Sequence, residues 1–198
     1  MKVIEWFEFL ESGLSFGEKL SSMTVGVFDG VHRGHQYLIE RIVSHNADYK
    51  PVVVTFRGQG IGVRGQGSGD REQIEIQSFR ERLLLFEKLG IQAAVVIDFT
   101  EEFKQMPGIE FLKILLKYGN IGFFSVGNNF RCGNQLDTDA NAIQNFFASC
   151  YIPVEIVPEV MEGSLPVSSS RIRASIAAGD LTLTQVMLGR PFKTVPLL

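Results

Sequence analysis

The sequence predicts an α/β protein: a doubly wound parallel sheet of five strands with helices on both faces. Five short apolar, β-rich runs, at 23–28, 51–56, 93–98, 121–126 and 153–157, are separated by stretches of helical length or periodicity, the alternation that parallel strands joined by crossover helices require. Leu83, Leu84, Phe86 and Leu89 recur at helical spacing before Gly90, and Ile109, Leu112, Leu115 and Leu116 before Gly119, so these stripes read as core with a glycine stop after each. The 198 residues are 45% hydrophobic and 21% charged without a compositional break, which fits a single sizeable core.

Taken in order, the N-terminal stretch carries acidic residues every few positions and lacks the unbroken apolar run of a signal peptide. The first strand then breaks at Phe28-Asp29-Gly30, and His32 and His35 follow three residues apart. That is a strand feeding a tight turn into a helix start. Histidines at i and i+3 share one face of a first helical turn, and Gly34 between them carries no side chain to block a close approach. Open N–H groups and the positive end of the helix dipole favour an anion here, and imidazole adds donors that can follow charge on a reacting phosphoryl group. The arrangement suits a nucleoside triphosphate; the plain alternative is a corner whose histidines are partly buried and bonded to backbone.

The second strand ends at Thr55-Phe56, and residues 57–70 then carry glycine at nearly every second position with Arg57 and Arg64 among them. Such a stretch reads by default as a flexible loop, and more sharply as a flap whose arginines contact phosphates. After the fourth strand, Val126 to Gly133 reads as a turn tolerant of positive φ. After the fifth, Ser168, Ser169 and Ser170 precede a helix running to Gly179; serines there are N-caps, to which Arg173 one turn in adds a guanidinium. In open sheets ligands bind beyond the carboxyl ends of the strands, where these motifs fall.

Charge and cysteine usage bound the function class. A net charge of −3 and a pI near 5.7 argue against a nucleic-acid or anionic-membrane partner, and no window is long enough to span a bilayer. Cys132 and Cys150 are too few for a disulfide framework. A cytoplasmic protein, monomeric by default and acting on small molecules, is the expectation.

Gly26-Val27-Phe28-Asp29-Gly30-Val31-His32-Arg33-Gly34-His35 resembles the signature of the His-x-Gly-His nucleotidylyltransferases, and most closely the adenylyltransferase half of bacterial FAD synthetases. Four further segments follow in that family's order: Val52 to Phe56, Val126 to Gly133, Val167 to Arg173 and Leu188 to Phe192. The resemblance implies a Rossmann-like fold and transfer of the adenylyl group of Mg²⁺-ATP to FMN, giving FAD and pyrophosphate. It implies catalytic roles for His32, His35, Arg173 and Asn129, and ATP contacts by Gly26, Val27, Phe28, Asp29, Gly30, Gly34, Ser168, Ser169 and Ser170. Flavin contacts would come from Thr55, Phe56, Asn129, Phe130, Arg131 and Asp139, with Asn129 near the metal. Residues 1–187 would form the adenylyltransferase domain and 188–198 the start of a linker toward a riboflavin kinase domain, so no kinase activity is expected of this chain. Departures are confined: Arg57-Gly58-Gln59-Gly60 stands where the family has an Asp-Pro-His-Pro-like turn, Ser170 replaces Thr, and Thr138 replaces Gly. The altered 57–60 loop keeps two alternatives open: another phosphorylated acceptor, such as pantetheine phosphate, nicotinamide mononucleotide or glycerol phosphate, or a weakly catalytic flavin- or nucleotide-binding protein.

Overall fold

The computed structural model of the protein describes residues 1–57 and 75–192; most of the glycine-rich stretch, Arg64 included, lies outside the described residues. Among the described residues the ten strands in chain order are β1 (Lys2–Glu5), β2 (Ser21–Val25), β3 (Lys50–Arg57), β4 (Ala93–Asp98), β5 (Ile121–Gly127), β6 (Arg131–Cys132), β7 (Thr138–Asp139), β8 (Val154–Val157), β9 (Met161–Glu162) and β10 (Leu165–Pro166). Six of them form one parallel sheet in the order β1-β4-β3-β2-β5-β8, while β6 with β7 and β9 with β10 make two short antiparallel ribbons. The five expected strands are all present, but the sheet has a sixth. β1 lies along the outer side of β4, Lys2 opposite Ala93. Of its four residues only Ile4 is buried, so no apolar run marks it, and an edge position asks for none.

The central strands are buried on both faces, and their alternation divides the side chains between two cores. Val52 and Val54 of β3 and Val95 and Ile97 of β4 join Phe9, Phe111, Leu112 and Phe147 beneath α1 (Trp6–Ser12), α5 (Gly108–Tyr118) and α6 (Ala140–Ser149). Val53 and Ala94 point the other way, to Ile39, Ile42 and Phe86 of α2 (Arg33–Ser44) and α3 (Phe79–Lys88). The expected core stripes need correction at Leu84 and Ile109, both exposed. At about 100° per residue, Leu84 lies roughly 200° round α3 from the buried Phe86, and Ile109 about 100° from Gly108, on the flank of the arc made by Phe111, Leu112 and Leu115.

A short helix α4 (Glu101–Lys104) follows β4, and the chain ends in α7 (Ser169–Ala177) and α8 (Leu181–Leu188). These last two helices build a third cluster, in which Ile76, Val167, Ile172, Met187 and Leu188 are buried and Phe192 packs against them. No helix among the described residues is long and apolar enough to cross a membrane.

β2 pairs with β3 on one side and β5 on the other. The chain therefore winds outward through β3 and β4, then returns to the middle and winds the opposite way through β5 and β8. That reversal opens a crevice beyond the carboxyl ends of β2 and β5.

Candidate active site

The crevice is a cleft of about 300 Å³. Its walls are the turn after β2 (Val25 to Asp29), the loop after β5 (Gly127 to Phe130), the segment after β8 (Val157 to Val160), and the starts of α2 and α7. Two helix N-termini thus open onto one space, and their unsatisfied N–H groups and dipoles make it a place for an anion.

The turn from Val27 to His32 is strained and held. Phe28 (φ 56°), Gly30 (φ 81°) and Val31 (φ 36°) all have left-handed backbone, an unusual conformation for a bulky aromatic and a genuine outlier for β-branched valine. Each carbonyl along it has a donor. Val27 O accepts from Thr55 Oγ1 (3.3 Å) and Arg82 Nη1 (2.8 Å), Phe28 O from the Val31 N–H (3.0 Å), and Asp29 O from Ser169 Oγ (2.9 Å). Gly30 O accepts from Arg190 Nη2 (2.6 Å), and Val31 O from both Arg190 Nη1 (3.0 Å) and Gln36 Nε2 (2.8 Å). The carbonyls are tied down from behind by side chains of five different elements or loops, which is what keeps a strained conformation in place.

His32 is the N-cap of α2, its Nδ1 accepting the His35 N–H at 3.4 Å. The ring proton then resides on Nε2. The two imidazoles stack at 3.6 Å between centroids and 18° between planes, and the edge of Phe28 meets His35 at 5.2 Å. Gly34 permits this, since a Cβ there would lie 3.2 Å from the His32 ring. His32 is 6% exposed. Burial, with the Arg190 charge adding to it, pushes its pKa down to about 4, and burial together with His32 and Arg82 holds His35 well below the usual imidazole range. Both rings are neutral at neutral pH, and His35 Nδ1 is buried without a hydrogen-bond partner among the described residues. They are dipolar donors rather than cations.

The fixed positive charge in the cleft is Arg173, on the first turns of α7. Its guanidinium pairs with Asp29, whose carboxylate is 6% exposed and also accepts the Ile76 N–H at 3.2 Å. Ser168 caps α7 by accepting the Arg171 N–H (3.2 Å), Ser169 ties α7 to the turn through Asp29 O, and Ser170 is exposed at the cleft wall. Of the three serines, one is a cap and one a strut. Arg171 donates to the Glu162 and Leu165 carbonyls (3.0 and 2.9 Å) and pins the β9–β10 ribbon.

Asn129 lies on the opposite wall, its Nδ2 donating to Glu159 Oε1 at 3.0 Å. Phe130 and Val27 separate the cleft from a second cavity of about 140 Å³, lined by Phe56, Phe99, Phe103, Phe111, Arg131 and Leu136, among others. The structure therefore brings His32, His35, Arg173, Asn129, Gly34, residues 26–29 and the serines to one cleft, and Phe56, Phe130 and Arg131 to the adjoining aromatic cavity. Gly30, Thr55 and Asp139 line neither; Gly30 faces away, its carbonyl held by Arg190. Thr55 is fully buried beneath the turn, and the Asp139 carboxylate caps α6 by accepting the Ala142 N–H (2.9 Å). Arg57, expected to meet phosphates from a flap, forms a two-pronged pair with Glu5 (3.0 and 3.1 Å) and another with Asp98 (2.8 Å), which ties β1, β3 and β4 together.

Sequence reasoning missed Arg82, Gln36 and Glu159, and assigned Arg190 to a linker. Arg82 is the one with a signal: it recurs with Phe86 at i+4 on the buried face of α3, where an arginine has to find acceptors. It finds Val27 O and Phe56 O.

Residues 17–171 match the sequence model of the FAD synthetase family. The chain belongs to that family. Relatives include the bifunctional riboflavin kinase/FMN adenylyltransferases of Buchnera aphidicola (subsp. Acyrthosiphon pisum; 26% identity over 87% of this chain and 55% of the relative) and Escherichia coli K12 (25%, 86% and 54%). A protein named FAD synthetase from Listeria monocytogenes is 26% identical over 86% of this chain and 69% of its own length. The chain spans about half the length of the two bifunctional relatives. Among solved structures, a Streptococcus pneumoniae protein titled macrolide-efflux protein superposes with a TM-score of 0.81 at 24% identity, covering 97% of this chain and 61% of that one. A pantoate-beta-alanine ligase from Francisella tularensis superposes at 0.54 and 11% identity, covering 96% and 85%. Both show the fold alone, a parallel α/β sheet flanked by helices, and the family assignment rests on the sequence.

Proposed function

We propose that this member of the FAD synthetase family transfers the adenylyl group of ATP to FMN, forming FAD and pyrophosphate. The observation that carries the reading is the cleft in which two helix N-termini, two neutral imidazoles and Arg173 converge beside an aromatic cavity. A phosphate oxygen of FMN bonds to the α-phosphorus of ATP in line, and the bond from that phosphorus to the bridging oxygen breaks, its electron pair leaving with pyrophosphate. FMN phosphate is ionised at neutral pH, so no general base is required. That agrees with histidines whose lowered pKa values make them weak proton acceptors. The work of the protein is positioning and charge stabilisation.

His32, through its Nε2 proton, and the α2 N-terminus stabilise charge on the α-phosphoryl group. Arg173, Ser170 and the α7 N-terminus hold the β- and γ-phosphates and the departing pyrophosphate. The rigid turn presents its backbone to the nucleotide. The aromatic cavity, bounded by Phe56, Phe99, Phe103 and Phe130, takes the flat apolar flavin, with Arg131 near its rim.

Magnesium is expected to travel with the triphosphate. No cluster of three or more His, Cys, Asp or Glu able to hold a metal occurs among the described residues. The neighbouring Asn129 and Glu159 nevertheless fit an ion that takes one or two protein oxygens and completes its shell with phosphates and water. When bound it would neutralise phosphate charge.

The aromatic lining favours flavin over a small aliphatic phosphate as acceptor. Unpaired Cys132 and Cys150 and the modest negative charge support a cytoplasmic enzyme acting on small molecules as a monomer. The test is incubation of ATP labelled on its α-phosphate with FMN, pantetheine phosphate, nicotinamide mononucleotide and glycerol phosphate. Label is expected in FAD with matching pyrophosphate release. Saturable transfer to another acceptor, or tight binding without pyrophosphate, would overturn the assignment.

A further inference from the structure

Residues 188–192 fold back on the cleft rather than leading away from it. Leu188 is fully buried, and Gly189, with φ 65°, closes α8 in a left-handed turn. A residue with a Cβ would be strained at this φ and would press on Arg33 and Gln36, whose Cγ and Oε1 lie 3.2 Å from where the Cβ would sit. The reversal aims Arg190 at the back of the strained turn. Its guanidinium donates to Gly30 O (2.6 Å), Val31 O (3.0 Å), Leu188 O (3.3 Å) and Gln77 Oε1 (2.7 Å). Gln36 doubles the link by donating to Val31 O and Leu188 O, both at 2.8 Å. Phe192 anchors the far side in the third apolar cluster.

We propose that Arg190 is a positioning residue for the adenylyl-transfer site, acting through the Gly30–Val31 peptides to fix where His32 and the α2 N-terminus point. The inference rests on the reaction proposed for the cleft. Val31 immediately precedes His32, so the φ that Arg190 enforces at Val31 sets the entry angle of the helix and the direction of its cap. Two carbonyls held by one planar fork cannot rotate independently, which neither a lysine nor a neutral amide reproduces. The other charged groups around this junction are Arg82 and Glu81 of α3, Asp29 of the turn, Arg173 of α7 and Arg33 of α2, which pairs with Glu162. Arg82 and Arg173 are each committed to acceptors of their own, and Glu81 to the N-cap of α3.

The experiment compares wild type with Arg190→Gln and Arg190→Lys by steady-state kinetics, ATP binding by calorimetry, and the pH titration of the His32 ring by NMR. Arg190→Gln is expected to lower kcat about tenfold or more with the acceptor KM within about twofold, as misplacement of a catalytic group does. Its His32 titration should move up toward the ordinary imidazole value. Arg190→Lys, which keeps the charge but offers a point donor, should recover part of the rate and most of the titration. A folded Arg190→Gln protein with wild-type kcat and an unmoved His32 titration would overturn the proposal. If Arg190→Gln does not fold, Arg190→Lys decides: wild-type kcat there removes the positioning role, and a partial loss with unchanged acceptor KM supports it. Should wild type make no FAD at all, the reaction is wrong, while the ATP affinity and His32 titration of the variants still judge the clamp on their own.

Discussion

The cleft and the aromatic cavity share Val27 and Phe130 as a common wall, yet the turn that edges the cleft and the cavity itself are built on opposite principles. The turn is polar, strained at Phe28 and Val31, and held by Thr55, Arg82, Ser169, Gln36 and Arg190, every one of them a donor to a carbonyl. The cavity beside it is made of ring contacts: Phe56 meets Phe99 at 5.7 Å and Phe103 at 5.8 Å, and Phe103 meets Phe111 at 5.7 Å. A hydrogen-bonded frame works by direction, so a small displacement of one donor matters. An apolar cavity works by area, so its losses are gradual. The first should govern turnover and the second affinity for the acceptor.

The sharpest way to break this contrast is at the donors. His32→Ala and Arg173→Ala are each expected to lower kcat by about 10²-fold or more, the usual loss when one donor to developing charge is removed. A folded variant turning over at the wild-type rate would show that the frame does not act on the reaction.

Acid tests the frame through stability. His32 takes up its proton near 6.5 in the unfolded chain but only near 4 in the folded one, so the unfolded chain binds more protons between those values. Stability is complete above pH 6.5 and is lost as pH falls toward 4, by roughly 3 kcal/mol for a shift of this size. The depressed pKa of His35 acts in the same direction. Urea midpoints measured from pH 7.5 to 4.5 should fall steadily, ahead of the carboxylates of Asp98 and Glu81, whose pKa values are lowered and which titrate further down. A flat profile across that window would mean that the histidines are not held neutral by burial.

The smallest effect belongs to the cavity. Phe99→Ala removes one partly buried ring and is expected to raise the acceptor KM about tenfold while kcat and the ATP KM hold, the signature of lost uniform binding. A fall in kcat with unchanged acceptor KM would merge the two regions into one.

What the sequence disclosed follows from the range of each interaction. Five of the six strands of the sheet and the two histidines were legible because strand patterning and the i, i+3 geometry are local. β1 was not, because its four residues carry one buried side chain and run directly into α1. Leu84 and Ile109 were misread because leucine and isoleucine at roughly helical spacing do not reveal which way a helix is rolled. Arg57 and Arg190 were misassigned for a common reason: the identity of an arginine says that it seeks oxygens but not which ones. In the structure Arg57 finds the carboxylates of Glu5 and Asp98, and Arg190 the carbonyls of a turn far upstream.

Gly30 and Arg190 stand 160 positions apart in the chain. During synthesis the strands from β2 through β8 emerge from the ribosome before the last strut of the turn does. A nascent chain whose strands have emerged therefore still lacks the donor that holds Gly30, and under the proposed reaction nucleotide capture is expected only once the polypeptide has emerged through Arg190.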